Sequence, residues 1–157
     1  MLNFWRDKSG NFAMLTAILA VPLFGAAGLA LDFSQALSVK EDLQQAADAT
    51  ALAAVAKNSP YVVEARKMGG DGPIIVAGSA PTDFFKKEDK KDDFDVENVS
   101  LFVKKIGNVV ESSVEYKATV RTSLSSILGK DFFTVSGKAT GRYQTEKYMN
   151  FYLLLDN

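Results

Sequence analysis

The residues best able to do chemistry here are carboxylates, because the chain contains neither cysteine nor histidine. Disulfides, thiolate nucleophiles, iron–sulfur clusters, zinc sites of the usual ligand types and His-based acid–base catalysis are thereby excluded. Asp93, Asp95 and Glu97 alternate like the opening ligands of a calcium-binding loop. The turn glycine would then fall at Asn98 and the bidentate glutamate at Lys104, so the spacing fails twice. A solvated acidic run is the expectation there, with a weak surface cation site as the alternative. The MGGDGP cluster at residues 68–73 invites comparison with a phosphate loop. No Lys-Ser/Thr pair follows it and no strand clearly precedes it, so nucleotide binding is not expected. No carboxylate pairs with another catalytic group at a convincing spacing. The expectation is a non-enzyme without a cofactor or a small-molecule substrate.

The charge balance narrows the partners further. Eighteen Lys+Arg stand against 19 Asp+Glu, a net charge of -1, so no cationic surplus exists to bind nucleic acid. With 157 residues the chain suits one domain of ordinary size. The absence of cysteine is compatible with an oxidising compartment.

The elements that would position any site begin with a membrane segment. Residues 10–31 carry no charge at all. About 20 apolar residues at 1.5 Å each cross a hydrocarbon core of about 30 Å. Arg6 and Lys8 precede the run and Asp32 follows it, so the positive-inside rule keeps residues 1–9 cytoplasmic and exports the rest. A cleavable signal peptide is the competing reading, since Gly28 and Ala30 loosely fit a small-residue cleavage pattern. The run exceeds an ordinary signal-peptide core and continues into more helix, so an uncleaved anchor is expected. Pro22 removes a hydrogen bond in mid-span and should kink the helix. Gly25, Ala26, Ala27 and Gly28 offer a small-residue face for close packing by another helix; such residues are also simply common in membrane helices.

Residues 32–58 read as an exported helix that continues the anchor. Ala and Leu dominate, and neither Gly nor Pro appears until Pro60. Phe33, Ala36, Leu37, Leu43, Ala47, Ala51 and Ala54 fall near one stripe at helical spacing. A stripe made mostly of alanine suits close approach to a flat partner such as a sheet. The joined helix should be about 45 residues and close to 70 Å long, ending at Pro60.

Residues 59–147 form the exported body. Ile74, Ile75 and Val76 suggest a short strand. Later the period becomes two: Val99, Leu101 and Val103; then Val114, Tyr116, Ala118 and Val120; then Phe133, Val135, Gly137, Ala139 and Gly141. Such runs predict half-buried antiparallel strands, with a hairpin at Gly107-Asn108 and an end cap from residues 123–130. The expected class is therefore α+β, a long N-terminal transmembrane and amphipathic helix packed on a small antiparallel sheet. Residues 148–157 then read as an apolar strand with Asp156 at its carboxyl end.

Three blocks together resemble the N-terminal region of TadE/TadG-like Flp pilus-assembly proteins. They are RDKSGNFA (residues 6–13), GLALDF (28–33) and LQQAADATALAA (43–54), with Pro22 in the span between the first two. The segment LSSILGKDFFTVSGKAT (124–140) is similar in weaker form to what TadG-like proteins carry after the anchor. The resemblance implies a pilin-like, non-enzymatic component of the tight-adherence machinery in the bacterial inner membrane. Its implied partners are other pilin-like subunits, the Tad assembly platform and membrane lipid. One departure is that Leu15, not glutamate, stands five positions after Gly10, which argues against prepilin-peptidase cleavage. Residues 148–157 resemble the first strand of a von Willebrand factor A domain, with Asp156 matching the first ligand of its Asp-x-Ser-x-Ser loop. Both serines are missing, and one carboxylate cannot hold a magnesium ion that wants six oxygens. This suggests the alternative that the chain is the stalk of a metal-dependent adhesive ectodomain, truncated at Asn157; otherwise the run is a last strand of the small sheet.

Overall fold

The computed structural model describes residues 9–76, 85 and 94–144. Helix α1 (Ser9–Ala54) is a single element of 46 residues that runs through Pro22. At 1.5 Å per residue it is about 69 Å long. Its two halves meet different surroundings. Phe12 and Phe24 are both 76% exposed and Val21 is 74% exposed, so among the described residues little covers the first half. From Asp32 onward one stripe is buried: Ala36, Val39, Leu43, Ala46, Ala47, Ala51 and Ala54. Phe33 and Leu37, expected on that stripe, lie at its margin at 53% and 44% exposure. Leu37 is one residue past Ala36 and so points about 100° away around the helix.

The buried stripe lies on an antiparallel sheet of order β1-β2-β3-β4. Its strands are β1 (Gly72–Pro73), β2 (Phe94–Ile106), β3 (Val109–Arg121) and β4 (Phe132–Gln144). The predicted period-two runs fall within β2, β3 and β4, and Gly107-Asn108 joins the Ile106↔Val109 pair as a hairpin. A register shift between Val96 and Asn98 reverses the parity of β2. Phe94 and Val96 therefore share the core face with Val99, Leu101 and Val103, as a one-residue bulge requires.

Helix and sheet run side by side in register. The Phe33 and Phe133 rings meet edge-on at 6.2 Å, the Tyr116 hydroxyl donates to the Lys40 carbonyl at 3.1 Å, and Ser112 Oγ donates to the Ala51 carbonyl at 2.7 Å. Between Phe33 and Ala51 the helix advances about 27 Å, and β4 advances about the same from Phe133 to Gly141. Helix α1 is thus nearly parallel to β4. The end of the body nearest the apolar half of α1 carries residues 121–133, and the Gly107-Asn108 hairpin stands at the other.

Two details differ from expectation. The helix ends at Ala54 rather than at 58, and a second helix, α2 (Pro60–Lys67), follows. Pro60 opens α2, where its missing N–H costs nothing, and Ser59 caps it by accepting from Val62 N at 3.1 Å. The last four carbonyls of α1 are all satisfied by that early stop. Ala51 O accepts from Ser112 Oγ, Leu52 O from Val55 N, Ala53 O from Ala56 N, and Ala54 O from Ser59 Oγ. The strand expected at 74–76 is instead β1 at Gly72–Pro73, pairing with Lys104 and Lys105, while Ile74 N donates to Val103 O at 2.8 Å. A proline is tolerated in that short edge strand.

Candidate functional site

The most organised polar site joins helix α1 to the sheet body. Asp32, the first charge after the apolar run, is only 4% exposed. Its Oδ1 accepts from Ser123 N at 3.1 Å, and its Oδ2 accepts from Leu124 N at 3.0 Å and Ser125 N at 2.5 Å. These N–H groups open a short 3-10 helix, Ser125–Leu128, whose own preceding residue offers no side-chain cap. A carboxylate from α1 therefore caps a turn more than ninety residues further along the chain, through charge-assisted bonds. Ser125 Oγ is buried beside the carboxylate without meeting strict hydrogen-bond geometry. That hydroxyl and the three N–H groups hold the Asp32 carboxyl below the usual aspartate range, against the opposing effect of burial.

One helical turn earlier, Gly28 is buried in the same contact. A Cβ added at Gly28 would lie 2.8 Å from Leu124 Cβ, so only glycine lets the loop sit this close. The four small residues expected to form one helix-packing face are divided accordingly. Ala26 and Ala27 are exposed, Gly25 is half-buried, and Gly28 is covered by this chain's own Leu124. Pro22 is exposed within α1.

The other sequence candidates do not converge on a site. Glu97 pairs with Lys117 and Thr119 on the neighbouring strand, and the Lys117 hydrogen bond, ahead of that from Thr119, lowers its carboxyl below the usual range. Asp95 is exposed on β2, whereas Asp93, Asp156 and residues 148–157 lie outside the described residues. Among the described residues no three carboxylates gather as a metal site would need. A shallow groove of about 320 Å³ crosses the outer sheet face past Phe102, Lys104, Glu111 and Lys138. Its acids are matched by cations, Glu115 with Lys138 at 2.7 Å and Glu111 with Arg142 at 3.7 Å, so it concentrates no charge. Between helix and sheet, burial raises the Tyr116 hydroxyl pKa, and the charge of Asp48 adds to it.

Sequence reasoning marked Asp32 as a flanking charge and missed its role as a clamp. The sequence offers a lone acid ending an apolar run and, far along the chain, a Ser-rich turn, but nothing that pairs the two. The arrangement is built to fix one element against another.

Residues 10–57 match the Tad family model, TadE/G-like Flp pilus-assembly, which spans the apolar helix, Asp32 and the alanine stripe. No curated protein and no solved structure matches the chain. Over those residues, about a third of the chain, it is similar to TadE/G-like Flp pilus-assembly proteins.

Proposed function

We propose that this protein is a single-pass, pilin-like component of the tight-adherence pilus machinery, working through protein contacts and without catalysis. Residues 10–31 cross the bacterial inner membrane, residues 1–9 remain cytoplasmic, and the body from residue 32 is exported. The observation that carries this reading is the division of one helix into two environments. Its first half is apolar and almost wholly uncovered among the described residues, while its second half is the cover of the sheet's core. A soluble core helix would be covered along its whole length, and a signal sequence would not continue into the folded body. The family match over residues 10–57 supplies the pilus context.

Ala26, Ala27 and the accessible side of Gly25 are the surface left for a neighbouring membrane helix, with Pro22 setting its angle. The partners would be other pilin-like subunits and the assembly platform. The test is site-specific photo-crosslinking from Ala26 and from Phe102 in cells assembling pili, with a topology reporter fused after Asn157. Exported reporter activity and an Ala26 adduct to another pilus component are expected. A cytoplasmic reporter, or adducts to lipid alone, would overturn the orientation or the helix-packing role respectively.

A further inference from the structure

We propose that the body stands on the outer leaflet of the membrane through a second contact, a foot formed by the turn between β3 and β4. This rests on the reading of residues 10–31 as the membrane span. Counted from Gly10, about 20 residues at 1.5 Å each bring the outer hydrocarbon edge to about residue 29. Leu124 is pressed against Gly28, so the turn reaches the depth at which the helix leaves the acyl chains. A body that merely hung from its anchor would keep its loops above that level.

The chemistry of the turn fits such a seat. Leu124 is 43% exposed and Phe132 is 56% exposed, at the same end of the body as Leu29, Leu31 and Phe33. Arg121 pairs with Phe132 across the strands and is exposed, as is Lys130, whose Nζ stands 5.3 Å from the Phe133 ring centroid. Long cationic side chains beside apolar ones are suited to a headgroup boundary, with stems in the apolar layer and charges among phosphates.

Much of the backbone of the turn is bonded from within, which suits peptide groups near hydrocarbon. Ser123, Leu124 and Ser125 N–H donate to Asp32, Thr122 N–H to Asp131 O, Gly129 N–H to Ser126 O and Lys130 N–H to Ser125 O. Thr122 Oγ1 donates to Lys130 O, and Ser126 Oγ donates to Ser123 O. The Asp32 clamp thereby brings the turn down to the membrane and removes three N–H groups that would resist it. Two contacts, helix and foot, hold the sheet upright on the bilayer.

The experiment uses the full chain in phosphatidylcholine vesicles, with the sole tryptophan removed by Trp5→Phe. The vesicles contain lipids brominated in one set near the headgroup, to report on the turn, and in another at mid-chain, to report on Leu19→Trp. New tryptophans are introduced one at a time by Phe132→Trp, Leu124→Trp, Ile106→Trp at the far hairpin and Leu19→Trp in the span. Quenching of about twofold is expected for F132W and L124W, with I106W unchanged. Phe132 is exposed, so its variant should fold even if L124W disturbs the Gly28 contact. Quenching of L19W without quenching of either foot variant beyond that of I106W would overturn the foot while leaving the span intact. Absence of quenching in L19W would overturn the span and the foot with it. A blue-shifted but unquenched F132W would show a protein covering the turn, which also overturns the proposal.

Discussion

A Cβ placed on Gly141 would lie 2.6 Å from the carbonyl oxygen of Ala51, so strand β4 and helix α1 meet at backbone distance. The contact is held by Ser112, whose hydroxyl reaches past Gly141 to the same carbonyl at 2.7 Å. Alanines along α1 and a glycine in β4 therefore act together, each being small enough to let the other's backbone approach. Gly141→Ala should destabilise the body by about 1–3 kcal/mol, because neither the helix backbone nor Ser112 can retreat cheaply. Thermal unfolding of the full chain in detergent measures it. An unchanged midpoint would mean the helix is free to ride higher on the sheet than this contact implies.

Much of the fold was legible because the two periodicities are unambiguous here. The 22 uncharged residues from 10 to 31 and the alternation around Val114 to Val120 are long enough to outweigh local exceptions. What escaped depended on partners distant in the chain. The helix end at Ala54 is set by Ser59 below it and Ser112 across from it, neither of which alters the local helix propensity. The parity change at Val96/Asn98 arises from a bulge without a glycine or proline to announce it. The clamp joins Asp32 to a turn more than ninety residues away, and one sequence carries no record of that proximity.

Ser59 closes two helices at once, donating to Ala54 O at 2.6 Å and accepting from Val62 N at 3.1 Å. Ser59→Ala should cost about 1–2 kcal/mol, the upper range for a cap, since a buried carbonyl and a buried N–H both lose their partner. Ser59→Thr should recover part of the loss. Equal stability of the alanine variant in denaturant titration would show that water replaces both bonds.

The Gly28 contact separates two roles for one residue. Gly28→Leu should drive Leu124 off the helix while membrane insertion stays intact, because the span only becomes more apolar. If the contact within the chain is what matters, adding Leu124→Ala should restore part of the stability, with a coupling of about 0.5–3 kcal/mol in the double-mutant cycle. If Gly28 also meets a neighbouring subunit's helix, pilus assembly should remain defective in the double variant although the body is stable. Assembly unaffected by Gly28→Leu would remove the close-packing role at this position.

The Asp32 clamp should be sensitive to acid. Its carboxyl is held below the ordinary aspartate value by the Ser125 hydroxyl and by the backbone N–H groups of residues 123–125. A lowered native value means that the ionised form favours the folded state. The contribution is therefore complete above the unfolded-chain value near pH 4 and is lost as pH falls through the lower native one. The Leu124 and Ser125 amides should be protected from hydrogen exchange at neutral pH and should lose that protection on the acid side of about pH 4, after correction for the intrinsic rate, while Val114 keeps its own. Asp32→Asn should raise exchange at those two amides by about tenfold or more at neutral pH, because a neutral amide binds the turn less firmly and turns its own NH2 toward other donors. The difference between the two proteins should then shrink with acid. A gap that stays constant to low pH would mean that geometry, not ionisation, makes the clamp.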